Sequence, residues 1–213
     1  MIITTGGIKG GSGKTTIATN LTIMLANKGF DVLLVDADDQ ETATDFTAWR
    51  EESTGGNIGY TAVKITGDAV RTQVQKLVSK YDHIIIDTGG RDTSSQRAAL
   101  SVSDVYLVPF TPRSFDIWTL RKVEILVSEI MIVTPKLKAY IFLNRADSRG
   151  ADNEDAAELL KQSEYLSYLD SPIGNRKVFS NAAASGLGVT EVKPIDEKAI
   201  NELVLLFDKI TNI

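Results

Sequence analysis

The sequence has 213 residues, of which 43% are hydrophobic and 24% charged, a balance that is typical of a globular domain and excludes a disordered, fibrous or membrane-spanning chain. It contains no cysteine and one histidine, which excludes disulfides, iron–sulfur clusters, thiolate metal sites and multi-histidine metal cages. The formal net charge of -5 does not favour nucleic-acid binding, although a local basic patch would still attract phosphates. No secretory signal begins the chain, so we expect a cytoplasmic protein.

Short apolar runs alternate with longer amphipathic segments, a pattern typical of strands and crossover helices in a parallel sheet. The predicted strands are Ile2–Thr5, Val32–Asp36, His83–Asp87, Val105–Phe110 and Lys138–Leu143. The predicted helices are Thr15–Asn27, Ala69–Lys80, Asp116–Ile130, residues 152–169 and residues 195–210. Near-continuous apolar strands are usually covered by helices on both faces of a sheet. We therefore expect a single α/β domain over residues 1–213, with a mostly parallel, twisted sheet.

The helix predicted over Asp116–Ile130 carries apolar side chains at helical spacing. Those expected in the core are Leu120, Val123, Ile125, Leu126, Val127 and Ile130. No repeat, low-complexity tract or Pro/Gly-rich linker divides the sequence, so it predicts no second domain.

A glycine-rich loop follows the first predicted strand and precedes the first predicted helix. Backbone N–H groups of such a loop, together with the helix N-terminus, surround phosphate oxygens. Lys14 would reach the β- and γ-phosphates, and the Thr15 hydroxyl would hold Mg²⁺. This segment predicts a P-loop NTPase, and its predicted nucleotide-binding residues are Lys9, Gly10, Gly11, Ser12, Gly13, Lys14, Thr15 and Thr16.

The loop departs from the general phosphate-loop pattern. Ile8 stands where that pattern has its first glycine, and Lys9 precedes Lys14 by five residues. This arrangement resembles the deviant Walker A motif of the ParA/MinD family of ATPases. The resemblance implies that Lys9 crosses a dimer interface to the phosphates of the partner's nucleotide, where it would offset charge in the transition state. Lys9 and Lys14 are therefore predicted to be catalytic.

Acidic residues end two further predicted strands. Asp36 and Asp38 resemble the acids of the family's Asp-x-Asp-Pro-Gln motif, although Asp39 stands where proline is usual. The resemblance implies that Asp38 positions the attacking water and Asp36 lies nearer the metal, so both are predicted to be catalytic. Asp87 ends the next strand as in a Walker B motif and would bind Mg²⁺ through a water. The predicted metal site comprises Thr15, Asp38 and Asp87, and the predicted cofactors are ATP/ADP and Mg²⁺.

Two other segments resemble nucleotide-sensing parts of the family. Gly89 and Gly90 stand where two prolines are usual, and we interpret them as a switch-like segment that approaches the γ-phosphate. Asn144 would pair with the adenine edge, and Arg145 would lie against the ring. The run from Asn144 to Asp147 is also close to the Asn-Lys-x-Asp pattern of guanine sites, so the choice of adenine rests on the resemblance.

A basic pair, Arg176 and Lys177, precedes a segment that resembles the closing part of the family, Gly186 to Glu191. In partition ATPases, basic residues of this region contact the DNA backbone, and the resemblance implies this role for Arg176 and Lys177. Further candidates are Lys193, Lys198, Arg145 and Arg149. The alternative is a pair of ordinary surface cations.

The pattern as a whole resembles a small plasmid-type ParA without an N-terminal helix-turn-helix domain. The resemblance implies that ATP drives a homodimer, that the dimer binds nonspecific nucleoid DNA, and that a ParB-type partner stimulates hydrolysis and release. The alternative is a MinD-like or cargo-positioning ATPase acting on a membrane or a protein cluster. The last predicted helix carries charges of both signs, so we expect no membrane binding. A carboxylate-activating enzyme of the same fold is a third hypothesis.

Overall fold

One parallel sheet organises the protein. The computed structural model describes residues 1–112, 117–147 and 151–211, and eight strands within these ranges form the sheet. They are β1 (Ile2–Thr5), β2 (Val32–Asp36), β3 (Thr61–Lys64), β4 (His83–Asp87), β5 (Val105–Phe110), β6 (Lys138–Ala146), β7 (Ser167–Tyr168) and β8 (Ile173–Gly174). The order is β3-β2-β4-β1-β5-β6-β7, with β8 paired to β6, and each of these pairings is parallel.

Helices connect the strands and cover the sheet. In the described ranges they are α1 (Lys14–Asn27), α2 (Thr42–Ser53), α3 (Ala69–Leu77), α4 (Ser94–Leu100), α5 (Ile117–Val133), α6 (Asp152–Lys161), α7 (Lys177–Ala184) and α8 (Glu197–Thr211). A single 3₁₀ turn, Val78–Lys80, continues α3. The predicted α/β fold with a parallel sheet is confirmed.

Both faces of the sheet are buried. Successive side chains of a strand point to opposite faces, and Leu34 and Ile85 join the core cluster that includes α1 and α8. Their neighbours Leu33 and Ile84 join the cluster that includes α3 and α4. This two-sided burial explains why the central strands consist of continuous apolar runs.

Most predicted boundaries agree with the structure, and one helix prediction is wrong in part. Strands β1, β2, β4 and β5 have the predicted bounds, and β6 continues beyond Leu143 to Ala146. The helix predicted over residues 152–169 ends at Lys161. Beyond it, Ser167–Tyr168 pairs with β6, because backbone pairing at the sheet edge outweighs local helical preference.

The predicted core face of α5 contains one error. Ile125 is 57% exposed, whereas Val123 and Val127 are buried. Residues four apart share a helix face, and the residue midway between them lies on the opposite side, so Ile125 faces solvent. Asp116, the predicted first residue of this helix, lies outside the described residues.

A partly buried ion pair joins α2 to the chain that follows α7. Arg50 is 4% exposed, and its guanidinium donates to both carboxylate oxygens of Glu191 at 2.7 and 2.8 Å. Arg50 also donates to the carbonyl oxygens of Ile58 and Gly186 at 2.8 and 2.9 Å. Burial opposes ionisation of Glu191, but the bonds from Arg50 and the Gly188 N–H outweigh it, so the pKa of Glu191 lies below its ordinary value.

We expect Arg50→Met to lower the free energy of unfolding by about 2–4 kcal/mol, because it leaves the partly buried Glu191 carboxylate without its cation and two backbone carbonyl oxygens without their donor. The matched control is Lys64→Met, which breaks an ion pair with Glu41 whose side chains are 41% and 45% exposed and should change stability little. Denaturant unfolding monitored by circular dichroism measures both. Equal effects of the two substitutions would contradict a structural role for the Arg50–Glu191 pair.

Candidate nucleotide-binding site

The candidate site lies at the carboxyl end of β1, which has β4 on one side and β5 on the other. In an open parallel sheet, ligands bind in the crevice outside the carboxyl ends of the strands, where the connections diverge. The loop from Gly6 to Gly13 occupies this position. Gly13 has a φ of 91°, and a Cβ there would lie 2.3 Å from Asn144 Nδ2. Glycine is therefore required at Gly13 by its backbone conformation and by the close approach of Asn144.

Lys14 follows the loop, and its side chain places a positive charge against the loop backbone. It is the first residue of α1 and is 7% exposed. Its ammonium donates to the carbonyl oxygen of Lys9 at 3.0 Å. Burial lowers the pKa of Lys14, while the charges of Asp87 and Asp38 act in the opposite direction. A buried cation beside a helix N-terminus is complementary to phosphate groups.

Asp36 lies on β2 directly opposite Asp87 on β4. Both of its carboxylate oxygens accept hydrogen bonds from the residues that follow β2. One carboxylate oxygen accepts from the Asp38 N–H at 3.1 Å. The other accepts from the N–H and the hydroxyl of Thr44, both at 2.8 Å. These bonds make Asp36 the residue that fixes the turn carrying Asp38 into α2.

Asp87 is buried with one carboxylate oxygen left unpaired. Its Oδ1 accepts from the Thr5 hydroxyl at 3.1 Å, whereas Oδ2 has no hydrogen-bond partner. Burial, followed by the charge of Asp36, raises the pKa of Asp87 to about 7, while the nearby Thr15 and Thr5 hydroxyls and the charge of Lys14 act in the opposite direction. A buried unpaired carboxylate oxygen is costly unless a cation or a donor approaches it.

This orphaned oxygen and the Thr15 hydroxyl fit a Mg²⁺ ion that is held mainly by nucleotide phosphates and water. Magnesium in such sites is bound by one or two protein oxygens rather than by a complete protein cage. The described ranges contain no group of three or more His, Cys, Asp or Glu residues suited to a metal. Thr15 and Asp87 would hold the ion, and the ion would offset phosphate charge.

Two glycines bring the chain after β4 against both Asp38 and the phosphate loop. A Cβ at Gly89 would lie 2.9 Å from Asp38 Oδ1, and a Cβ at Gly90 would lie 2.8 Å from the Gly10 backbone nitrogen. The Asp38 carboxylate also accepts from the Gln40 N–H at 3.2 Å. The segment interpreted as a switch therefore touches the loop that would hold phosphates and the acid predicted to position water.

These elements line a cleft of about 760 Å³ that is open to solvent. Its lining combines backbone of the phosphate loop with polar side chains, which suits a polar ligand. The predicted site residues that line it are Gly10, Gly11, Gly13, Lys14, Thr15, Thr16, Asp38 and Arg145. Arg91, which sequence analysis did not single out, also lines this cleft.

Arg145 lines this cleft and also a second one of about 670 Å³, which Asn144 lines as well. Asn144 is 4% exposed, and its Nδ2 donates to the Ser12 carbonyl oxygen at 2.7 Å, so it supports the phosphate loop from behind. An irregularity in the β6–β8 pairing falls between Asn144 and Ala146, and Arg145 there has a φ of 57°. Such a bulge redirects a side chain, and Arg145 lines both clefts.

The two predicted DNA-binding residues differ in their surroundings. The Arg176 guanidinium donates to the Glu202 carboxylate at 2.5 and 3.2 Å, and the same carboxylate accepts from the Gly174 N–H at 2.9 Å. Arg176 thus holds β8 to α8 at the wall of the second cleft. Lys177 is exposed at the start of α7. Arg149 lies outside the described residues.

The comparison with known families settles the class of the protein. A sequence model of the CobQ/CobB/MinD/ParA nucleotide binding domain matches residues 3–189. The chain belongs to this family. It is therefore a P-loop ATPase of the ParA/MinD type, and the predicted resemblance is confirmed.

Individual relatives differ in their cargo. Maintenance of carboxysome distribution protein A from Halothiobacillus neapolitanus is 25% identical over 205 residues, which cover 95% of this chain and 93% of that protein. A plasmid partition protein from Borrelia burgdorferi B31 bound to AMPPNP has a TM-score of 0.73 and 22% identity, with 98% of each chain covered. An Asp-to-Ala variant of McdA from Cyanothece in complex with ATP has a TM-score of 0.80 and 16% identity, covering 100% of this chain and 96% of that one. These two structures share the fold.

We expect Asp87 to lower the free energy of unfolding of the metal-free and nucleotide-free protein as pH rises from about 4 to about 7, by up to ~1.4 kcal/mol per pH unit relative to Asp87→Asn. The reason is that folded Asp87, with a pKa raised from 3.8 to about 7, retains a proton that the unfolded chain has already lost. Asp87→Asn removes this titration and should remove the corresponding slope.

Urea unfolding over a pH series measures this slope. Asp155→Asn, a substitution at an exposed acid on α6, is the matched control and should keep the wild-type slope. Identical slopes for wild type and Asp87→Asn would show that Asp87 does not carry the effect.

Proposed function

We propose that the protein is a partition ATPase. Mg²⁺ and ATP would bring two copies face to face, the dimer would bind nonspecific nucleoid DNA, and hydrolysis to ADP would release it. A ParB-type adaptor on a plasmid or another large cargo would stimulate hydrolysis. The observation that carries the proposal is the position of Lys9.

Lys9 is exposed on the phosphate loop, while its carbonyl oxygen binds the Lys14 ammonium. Its neighbours in a small recess include Val108 and Phe110, and it is not among the described residues that line the phosphate cleft. An exposed cation on the phosphate loop that does not line the cleft of its own subunit would be available to a facing subunit. If Lys9 makes its contacts only when a γ-phosphate is present, ATP favours the dimer and ADP does not.

The catalytic roles follow from the same arrangement. Lys14 and the loop N–H groups would bind phosphates, Thr15 and Asp87 would hold Mg²⁺, and Asp38 would orient the attacking water. Phosphoryl transfer depends on such positioning and on charge stabilisation. A site that lacks the partner's lysine is incomplete, so hydrolysis by the monomer should be slow.

Lys177 is the stronger candidate for DNA contact, because the Arg176 guanidinium is engaged by Glu202. Lys177 is the first residue of α7 and lines the second cleft. Arg145 lines both clefts, so the proposed DNA contact would lie next to the nucleotide site. Lys193 and Lys198 are exposed nearby in sequence. Two such surfaces in one dimer would strengthen binding by avidity.

A second function, the positioning of a protein cluster, is supported by the carboxysome-distribution relative that aligns over 95% of the chain. A membrane role has less support. No helix within the described residues is long and apolar enough to cross a membrane, and α8 packs Leu203, Leu206 and Phe207 into the core. From the proposed binding to nucleoid DNA, we propose a cytoplasmic, nucleoid-associated location.

Retention on nonspecific double-stranded DNA tests this proposal. We expect wild type to be retained with ATP and not with ADP, and retention to fall steeply as salt rises. Lys177→Glu should weaken retention about tenfold or more by removing a phosphate contact, and Lys14→Ala should abolish it by preventing nucleotide binding.

The control is Lys76→Glu, which makes the same charge change on the exposed last turn of α3 and should leave retention unchanged. Retention that is independent of nucleotide would contradict the proposal. ATP-driven dimerisation without DNA retention, combined with binding to a protein cluster, would favour the second function.

A further inference from the structure

Gln96 lies between the phosphate loop and the segment that follows β4. It is on the first turn of α4, where its backbone N–H donates to the Thr93 hydroxyl at 3.2 Å, and its side chain is fully buried. In the amide orientation that satisfies both ends, Nε2 faces the carbonyl oxygens of Gly7, Gly89 and Arg91 at 3.2, 3.2 and 3.1 Å. One side chain therefore bridges two loops that are far apart in the sequence.

The Gln96 amide has fewer N–H donors than there are carbonyl acceptors around it. A glutamine amide has two N–H donors, whereas three carbonyl oxygens lie within bonding distance of Gln96 Nε2. Two of these carbonyls belong to the segment after β4 and one belongs to the phosphate loop. The donors are thus shared between the loops, and a small movement of either loop changes which carbonyls are bonded.

The oxygen of the Gln96 amide is hydrogen-bonded to a tyrosine in the core. Gln96 Oε1 accepts from the Tyr106 hydroxyl at 3.0 Å, and Tyr106 is fully buried. A Cβ at Gly6 would lie 2.5 Å from Tyr106 Cε2, so the tyrosine ring packs directly under the start of the phosphate loop. Tyr106 fixes the position from which Gln96 reaches the two loops.

The backbone that Gln96 binds carries the groups that would meet a γ-phosphate. Gly89 lies against Asp38, and Gly90 lies against the backbone of Lys9 and Gly10. Arg91 lines the phosphate cleft. A shift of this segment would move all of these contacts together.

We propose that Gln96 is a positioning residue that holds the Gly89–Arg91 segment in register with the phosphate loop, so that a nucleotide with a γ-phosphate is distinguished from one without it. The inference rests on the proposed partition-ATPase function and adds a residue to its site. Gln96 touches neither nucleotide nor water in this role. It acts through the backbone of Gly7, Gly89 and Arg91.

Two substitutions separate this role from packing. Gln96→Met keeps similar length and removes the amide, and Gln96→Glu keeps an acceptor for Tyr106 but replaces the N–H donors. We expect both to lower kcat by about tenfold or more, and to reduce the preference for ATP over ADP by a similar factor. Affinity for ADP should stay within about twofold of wild type, because ADP lacks the γ-phosphate that the segment senses.

The measurements are steady-state hydrolysis and equilibrium titration with ATP and ADP, each on protein shown to be folded by circular dichroism. Gln162→Met, at an exposed glutamine following α6, is the control and should match wild type. A parallel loss of ATP and ADP affinity would assign Gln96 a structural role and overturn the proposal, as would an unchanged preference for ATP. Failure of wild type itself to hydrolyse ATP would instead contradict the proposed function.

Discussion

Close approach of backbone at three glycines is the constraint on which the site depends. A Cβ at Gly6 would lie 2.5 Å from the Tyr106 ring, one at Gly13 would lie 2.3 Å from the Asn144 amide, and one at Gly90 would lie 2.8 Å from the Gly10 nitrogen. Contacts this short leave no room for a side chain and hold the loop against its support. The phosphate loop, the end of β6 and the segment after β4 are therefore in direct contact, so a ligand bound to one part would act on the others.

Buried charge supplies the second requirement of the site. The pKa of Lys14 is lowered and that of Asp87 is raised, in both cases chiefly by burial. Both shifts favour the neutral form, which means that the fold holds these groups in an environment unfavourable to their charges. Magnesium bound to nucleotide phosphates would provide a cation near Asp87 and anions near Lys14. Ligand binding would then relieve a cost that folding has imposed, which strengthens the binding of Mg²⁺ and nucleotide.

The parts of this protein that can be predicted from its sequence are those whose signals are local. Strands buried on both faces appear as apolar runs, and the phosphate loop has a recognisable pattern of glycines and lysines. Helix α2 was missed because it buries little more than Ala43 and Arg50, and Arg50 finds its partner Glu191 across 141 residues of sequence. Likewise, the predicted DNA contact Arg176 is engaged by Glu202, and Gln96 gains its three carbonyl neighbours through tertiary structure. Partners distant in the sequence leave no local pattern from which they could be predicted.

Hydrolysis by mixed subunits tests the central claim, that Lys9 completes the site of a facing copy. Lys9→Ala subunits keep Asp38 but donate no lysine, whereas Asp38→Ala subunits donate Lys9 but lack the acid that orients water. Each variant alone should be nearly inactive. An equal mixture should recover up to about a quarter of the wild-type rate, because about half of the dimers are mixed and each mixed dimer has one complete site. A mixture as inactive as its components, although dimers form, would contradict the account.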